Sequence, residues 1–367
     1  MVGLPTGYGQ YVNPAPVDRA DLRPRVERSL NSFLARQRER LIGIDPALGP
    51  VADAIEDFVQ GGGKRLRPAF AYWGYRGAGG EDHDELVAAL AALEFVQASA
   101  LIHDDVMDGS DTRRGKPSAH RRFAIEHRRN GWAGDPQAYG RATAILLGDI
   151  CLAWSDELLH GCGLDPVTLA RARPIFDEMR TEVSAGQYLD VLAQVTGDTS
   201  VERAGTIARY KSAKYTVERP LLFGAALAGA SAPVRAAFSR YGLPLGEAFQ
   251  LRDDVLGVYG DPTRTGKPAG DDLREGKRTY LVAVALEAAD PTGREQLRAG
   301  LGNPDLDEAG VARLRQIIEQ TGALSRTERR IDELTGQALA ALSGVWLDGE
   351  ADKVLHELAE AATRRLD

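Results

Sequence analysis

Residues 84–108 read DELVAALAALEFVQASALIHDDVMD. Leu, Ala, Val and Phe cover most of the stretch and no Gly or Pro interrupts it, so it reads as one long helix. A helix that is apolar nearly all round belongs inside a bundle rather than on its surface. Glu94, Gln97, Asp104 and Asp108 step by three, seven and four, and fall near one face of a 3.6-residue helix. Such a polar stripe either lines an internal cavity or marks a helix end that reaches solvent. The segment alone leaves both open.

Working outward, almost every periodic stretch is helical, over roughly 25–43, 49–60, 64–77, 84–108, 141–160, 166–195, 200–213, 216–230, 233–258, 278–290, 306–320, 324–345 and 350–365. Gly, Pro, Asp and Asn fill the gaps, as in RRNGWAGDPQAYG at 128–140. No β-branched alternation and no fixed repeat is present, which excludes a sheet protein and a solenoid. The expectation is an all-α, single-domain helical bundle over 25–367, with 1–24 as an irregular N-terminal arm rich in Pro and Gly. That arm has no apolar core of an export signal, and no run of 18 apolar residues predicts a transmembrane segment. Cys151 and Cys162 are the only cysteines, too few to staple 367 residues, so a reducing cytoplasm is expected. A net charge of −8 argues against nucleic acid and leaves room for metal cations bridging to an anionic substrate.

Asp104 and Asp108 are an i, i+4 pair with Asp105 beside them. Like charges at that spacing destabilise a helix by a few tenths of a kcal/mol. A Mg²⁺ ion reverses the sign, because it takes carboxylate oxygens and keeps positions open for phosphate. A related cluster, FQLRDDVLGVYGD, follows 149 residues later with Asp253, Asp254 and Asp261. Two such clusters, each near the end of an apolar helix, are poorly explained as two solvated faces. Cations accompany them. GGGKRLRP at 61–68 sets Gly63 before Lys64, Arg65 and Arg67 at a helix start, where close backbone approach and a helix N-terminus suit phosphate. It is not a nucleotide P-loop, since Arg65 follows the lysine. Arg113 and Arg114 follow the first aspartates, and Lys211, Lys267 and Lys277 are further candidates.

The segments GGGKRLRP, DDVMD…TRRG, GQYLD, KSAKYT, FQLRDD and GDPTRTGKPAGDDLREGKRT, in that order, resemble the polyprenyl synthetases, the trans-isoprenyl diphosphate synthases. The resemblance covers about residues 60 to 280 and implies the isoprenoid synthase fold, a helical bundle around a deep central cavity. It implies Asp104 and Asp108 as direct Mg²⁺ ligands on an allylic diphosphate, with Asp105 in support, and Asp253 with Asp254 for a further ion. About three ions per site would follow. Lys64, Arg67 and Arg114 match the pocket for isopentenyl diphosphate, with Gln97 beside them. Arg113, Lys211 and Lys267 match the grip on the allylic diphosphate (dimethylallyl, geranyl or farnesyl). Ser212 and Gln250 match polar residues near the developing cation, and Gln187 and Asp190 those of the GQxxD helix. Gly257 departs from the pattern, since many relatives carry a third aspartate there. A homodimer is also implied.

The chemistry suits these residues. Breaking the allylic C–O bond leaves a diphosphate anion and a carbocation, and fixed cations stabilise the leaving charge. The alkene of isopentenyl diphosphate attacks, and the resemblance implies proton loss to the departing diphosphate. Water would quench the cation, so an apolar cavity and a closing lid over 257–277 carrying Lys267 are expected. In the family, bulk at the fourth and fifth residues before the first aspartate stops growth early; here these are the small Ala100 and Ser99. Phe95 lies one turn, about 5.4 Å, beyond Ser99. It either floors the tunnel at a twenty-carbon product, geranylgeranyl diphosphate, or only packs on a neighbouring helix, in which case longer quinone-type chains follow. A terpene cyclase is disfavoured by DDVLG with GGGKRLRP, and a non-catalytic partner subunit by two largely intact aspartate motifs.

Overall fold

The computed structural model describes residues 16–260, 270–303 and 305–364. Apart from one two-residue ribbon, the regular elements described are helical: α1 (Leu22–Ile44), α2 (Gly49–Gln60), α3 (Leu66–Gly77), α4 (Asp84–Met107), α5 (Ala119–Arg129), α6 (Pro136–His160) and α7 (Pro166–Thr196). Then come α8 (Val201–Ile207), a π-helical stretch (Ala208–Glu218), α9 (Arg219–Leu227) and α10 (Ala232–Tyr259). The remainder is α11 (Asp271–Arg274), α12 (Tyr280–Ala288), α13 (Pro291–Gly300), α14 (Glu308–Gln320), α15 (Ala323–Leu342) and α16 (Gly349–Thr363).

Helix starts follow local chemistry. Asp135 and Asp165 each accept from two backbone N–H groups and are followed by proline at the first helical position. That cap starts α6 at Pro136, five residues ahead of the expected 141. Helix α1 begins at Leu22, inside the segment expected to be irregular, because Leu22 and Val26 are buried against the bundle. Three helices were not anticipated, the shortest of them α11. Helix α5 (AHRRFAIEHRR) is mostly charged and buries only one face through Ala119, Phe123 and Ala124, and α13 buries Leu297 and Gly300.

Helix α4 occupies the centre. It is long and apolar enough to cross a bilayer, and it lies within the bundle core. Beside it α6 runs antiparallel, with His103 Nε2 3.1 Å from the Ile145 carbonyl and the Phe95 ring 6.0 Å from that of Trp154. Phe33 of α1 completes an aromatic triad, 5.2 Å from Phe95. Each such side chain stabilises the fold by roughly 1.5–3 kcal/mol relative to exposure. A second apolar cluster, including Val255, Leu281, Leu297 and Leu314, ties α12–α14 to the end of α10. Both cysteines are buried free thiols, and burial pushes Cys151 up to about 12.

Candidate active site

The aspartates of α4 sit at the worst place on a helix for negative charge, its C-terminal end. Asp104 is in the last turn and Asp108 caps it, donating its N–H to the Asp104 carbonyl. Cations from distant segments converge there. Lys211 donates to Asp104 Oδ1 at 3.1 Å and to Asp190 Oδ2 at 2.7 Å, and Gln187 donates to Asp104 Oδ1 at 3.0 Å. Burial alone would push the Asp104 carboxyl up, yet Lys211, Lys277 and Arg113 hold it below the usual range. Asp108 differs. Its side chain is 4% exposed, neither carboxylate oxygen has a hydrogen-bond partner, and Lys277 Nζ is 3.8 Å away. Burial, and then the Asp104 charge, push its carboxyl up to about 6.

A buried carboxylate with two orphaned oxygens beside an ionised one is a donor set that a hard divalent cation fits. Among the described residues no group of three metal-ligating side chains forms a closed cage. That suits an ion that completes its shell with substrate oxygens and water.

Two acids and one arginine of the expected site already have partners within the protein. Asp105 is fully buried and turned away, bound by Arg113 through Nε at 3.0 Å and Nη2 at 2.5 Å, so it is not placed to ligate a metal. Arg113 thus pairs with Asp105, comes within 3.5 Å of Asp104 Oδ2 and lines the cavity described below. Asp254, 3% exposed, accepts from Gln250 Nε2 at 2.8 Å and from the Tyr280 N–H at 3.2 Å. Burial, with Asp272 and Asp253 nearby, pushes it up to about 7, and it acts as a brace between α10 and α12. At Gly257 a Cβ would stand 1.8 Å from Asp272 Oδ2. The space next to Gly257 therefore holds the carboxylate of Asp272, which belongs to the segment GDPTRTGKPAGDDLREGKRT.

Lys211 and Ser212 lie on the π-helical stretch, which joins two expected helices into one rod. Wide turns of this kind are found at functional sites. Gly186 of α7 lets the backbones touch, since a Cβ there would be 2.3 Å from the Lys211 nitrogen. Lys214 fixes the register through Glu182 at 2.8 Å and Glu218 at 3.3 Å, and Arg219 adds bonds to Glu182 at 2.7 and 2.8 Å. Glu182, Glu218 and Arg219 stand outside the motifs, and Lys214 lies within KSAKYT without being one of its expected site residues.

The second cation group is built on strained turns. Arg65 (φ 48°) and Arg114 (φ 53°) are non-glycine residues in the left-handed region. Arg114 and Gly115 form the turn of the ribbon that pairs Thr112–Arg113 with Lys116–Pro117. A Cβ at Gly63 would be 3.5 Å from Arg114 Nη2 and 3.6 Å from Arg65 Nη1, so the two loops meet at this glycine. Arg65 turns inward to Glu94 at 2.5 Å, which removes Glu94 from the expected open stripe. Arg67 lies 4.2 Å over the Tyr215 ring and donates to Thr216 Oγ1 at 2.8 Å, while the Tyr215 hydroxyl donates to Gln97 Oε1 at 2.8 Å. Arg67 and Gln97 are thus linked through Tyr215 rather than directly.

A cavity of about 520 Å³ gathers Lys64, Asp104, Arg113, Asp190, Lys211, Ser212, Gln250, Asp253, Asp254 and Lys277. An adjoining cleft of about 170 Å³ takes in Arg113 and Arg114. Lys267 and residues 261–269 of the expected lid lie outside the described residues. Of the tunnel residues, Ala100 is half-buried and Ser99 buried. Phe95 is nine residues from Asp104, half a turn out of phase at 100° per residue, so it points to the opposite side of α4. Its ring packs 5.2 Å from Phe33 of α1 and 6.0 Å from Trp154 of α6, as in the second of the two placements the spacing left open.

Residues 50–320 match the polyprenyl synthetase family. The chain is 33% identical over 313 residues to a geranylfarnesyl diphosphate synthase of Aeropyrum pernix, covering 84% of this chain and 92% of that one. An octaprenyl diphosphate synthase of Escherichia coli is 30% identical, covering 84% and 87%. Among solved structures, a geranylgeranyl pyrophosphate synthase from Corynebacterium glutamicum, complexed with isoprenyl diphosphate and magnesium, superposes with a TM-score of 0.90 at 42% identity, covering 94% and 98%.

Proposed function

From the premise that this chain belongs to the polyprenyl synthetase family and is a trans-prenyltransferase, we propose that it condenses isopentenyl diphosphate with an allylic diphosphate to make geranylgeranyl diphosphate. The observation that carries this reading is the meeting of Asp104 and Asp253 with Lys211 and Lys277 in one cavity, with Asp108 buried beside it, 3.8 Å from Lys277.

Asp104 and Asp108 would hold Mg²⁺ from α4, and Asp253 from α10. Bound Mg²⁺ would neutralise the diphosphate and stabilise it as a leaving group. Lys211 and Lys277 already lie against carboxylates, so incoming diphosphate oxygens exchange one anionic partner for another without stranding a buried charge. Lys64 and Arg114 would seat the second diphosphate, with Arg67 held ready by Tyr215. Burial of Tyr215, whose hydroxyl is pushed up to about 12, keeps it a neutral donor to Gln97. The apolar core around α4 excludes water from the cation.

Small Ala100 and Ser99 let the chain pass fifteen carbons, and the 42% identical Corynebacterium enzyme supports a stop at twenty. A longer product is the second reading, favoured by Phe95 facing away from the aspartates. A homodimer is the proposed assembly, in which a second copy would cover the exposed Ile145, Leu146 and Leu152 of α6. Two free cysteines support a reducing cytoplasm as its location.

Purified protein would be incubated with Mg²⁺, isopentenyl diphosphate and, separately, the five-, ten- and fifteen-carbon allylic primers. Mass spectrometry after phosphatase treatment should find a twenty-carbon prenyl alcohol that EDTA abolishes. A cyclic hydrocarbon, or no product from any primer, would sink the reading.

A further inference from the structure

Helix α5 and the turn after it stand outside the reaction described above, and none of residues 119–135 lines the main cavity. The two faces of α5 differ in kind. Ala119, Phe123, Ala124 and His127 are buried on the side that packs on α6. Gly140 of α6 permits that contact, because a Cβ there would run into the His120 carbonyl. The outward positions are Arg121, Arg122, Ile125, Arg128 and Arg129, with Trp132 one turn on, which is the three-and-four spacing of a single helix face. Arg121 and Arg122 are tied to Asp111 at 2.9 Å and Asp57 at 2.8 Å. Arg128 and Arg129 are exposed, and neither is in a salt bridge among the described residues. Between and beside them Ile125 is 42% and Trp132 46% exposed.

Trp132 is held in place rather than loose. Its N–H donates to the His127 carbonyl at 3.3 Å, and its ring stands edge-on to His127 at 5.9 Å and to Tyr139 at 5.4 Å. His127 Nε2 lies 3.1 Å from the Ala133 carbonyl and closes the turn. Where this braced tip stands follows from helix lengths. Helix α6 is antiparallel to α4, with Ile145 level with His103. From Ile145 back to Pro136 it rises nine residues, about 14 Å, whereas α4 ends at Met107, about 6 Å past His103. The start of α6, with α5 and Trp132 against it, therefore overshoots the aspartate end of α4, where the cavity lies.

We infer that the α5 stripe docks this chain on an anionic lipid surface, Arg128 and Arg129 meeting lipid phosphates while Ile125 and Trp132 sink among the headgroups. Cations alternating with aliphatic and indole side chains suit the boundary between charged headgroups and acyl chains. A nucleic-acid backbone would match the arginines but would leave Ile125 in water. The chain as a whole carries −8 and is repelled by such a surface, which makes the contact local and oriented. Docked through this tip, the aspartate end of the bundle lies next to the bilayer, and a diphosphate with a long apolar tail passes to it without crossing bulk water. That consequence rests on the prenyl synthase reading above; the lipid contact itself does not.

The test sediments the full chain with phosphatidylcholine vesicles and with vesicles containing about 30% phosphatidylglycerol, which present a negative surface. Binding should appear with the anionic vesicles only and be released by high salt. Arg128→Glu/Arg129→Glu should weaken it about tenfold or more, and Trp132→Ala severalfold, with vesicle-free kcat unchanged in both. No binding of wild type to anionic vesicles, or equal binding of the charge-reversed pair, overturns the inference. A reversal that instead splits an assembly of wild-type chains, read by sedimentation velocity, makes the stripe a contact between copies and also overturns it. If circular dichroism shows that the reversal impairs folding, Arg128→Gln/Arg129→Gln decides between the same outcomes. Failure of the enzymatic reading is seen separately, as the absence of prenyl product in the vesicle-free assay.

Discussion

Asp108 shows what a single residue gives up for chemistry. Its carboxylate is buried without a hydrogen bond and raised to about 6, next to the ionised Asp104. Asp108→Asn should therefore stabilise the metal-free protein at pH 7.5, by about 1–3 kcal/mol, since it removes a buried charge that Lys277, at 3.8 Å, offsets only in part. The same variant should lose about 10²–10³-fold in kcat, the scale of removing one group that stabilises a developing charge. Denaturant unfolding and initial-rate assays would read the two effects, and a variant that is both less stable and fully active would contradict the geometry. Gly257 is the converse. Gly257→Ala would drive a methyl into the Asp272 carboxylate and should cut Mg²⁺-dependent turnover at least tenfold, through displacement of Asp272 rather than loss of a ligand. A crystal structure of that variant with Asp272 unmoved would refute this cause.

At the scale of elements, the π-helical stretch and the aromatic triad make separable predictions. Burial of Glu182 would raise its carboxyl, but bonds from Arg219 and Lys214 win and hold it below the ordinary 4.5. A depressed folded value means stability that is present above about pH 4.5 and is lost as pH falls through the folded value. Glu182→Gln should lower stability at pH 7 and flatten the acid limb of the stability–pH curve. Equal slopes for variant and wild type below pH 4.5 would remove Glu182 from that role. Phe95→Ala should cost about 3–5 kcal/mol, the cavity cost of a buried aromatic, because the ring joins α1, α4 and α6. Its product length should not change, as a ring on the far side of α4 does not meet the tail. Longer products from this variant would restore Phe95 as a floor.

For the whole molecule, the metal is expected to belong to the complex rather than to the fold. No closed cage exists among the described residues, so EDTA should abolish turnover while leaving the apo melting temperature within about 1 °C, and Mg²⁺ with a diphosphate should raise it. Loss of the fold on chelation would show a structural metal instead. Much of this architecture was legible in the chain. The helix over 49–60 and the starts at 84 and 166 followed from apolar periodicity and Asp-Pro or acidic caps, which are local signals. The charged α5 was invisible, because its single buried face carries few large apolar residues and depends on packing against α6. The sequence by itself determined an all-α bundle, the two aspartate clusters and the basic loop, since residue type and spacing along one helix decide those. Only the tertiary structure decided that Asp105 serves Arg113, that Asp272 fills the space at Gly257, and that the Phe95 ring packs against Phe33 of α1 and Trp154 of α6. It also decided that Asp156 bridges α6 to α7. These are pairings between segments far apart in the chain, and the direction of a side chain across such a gap depends on which helices meet, which no local pattern contains.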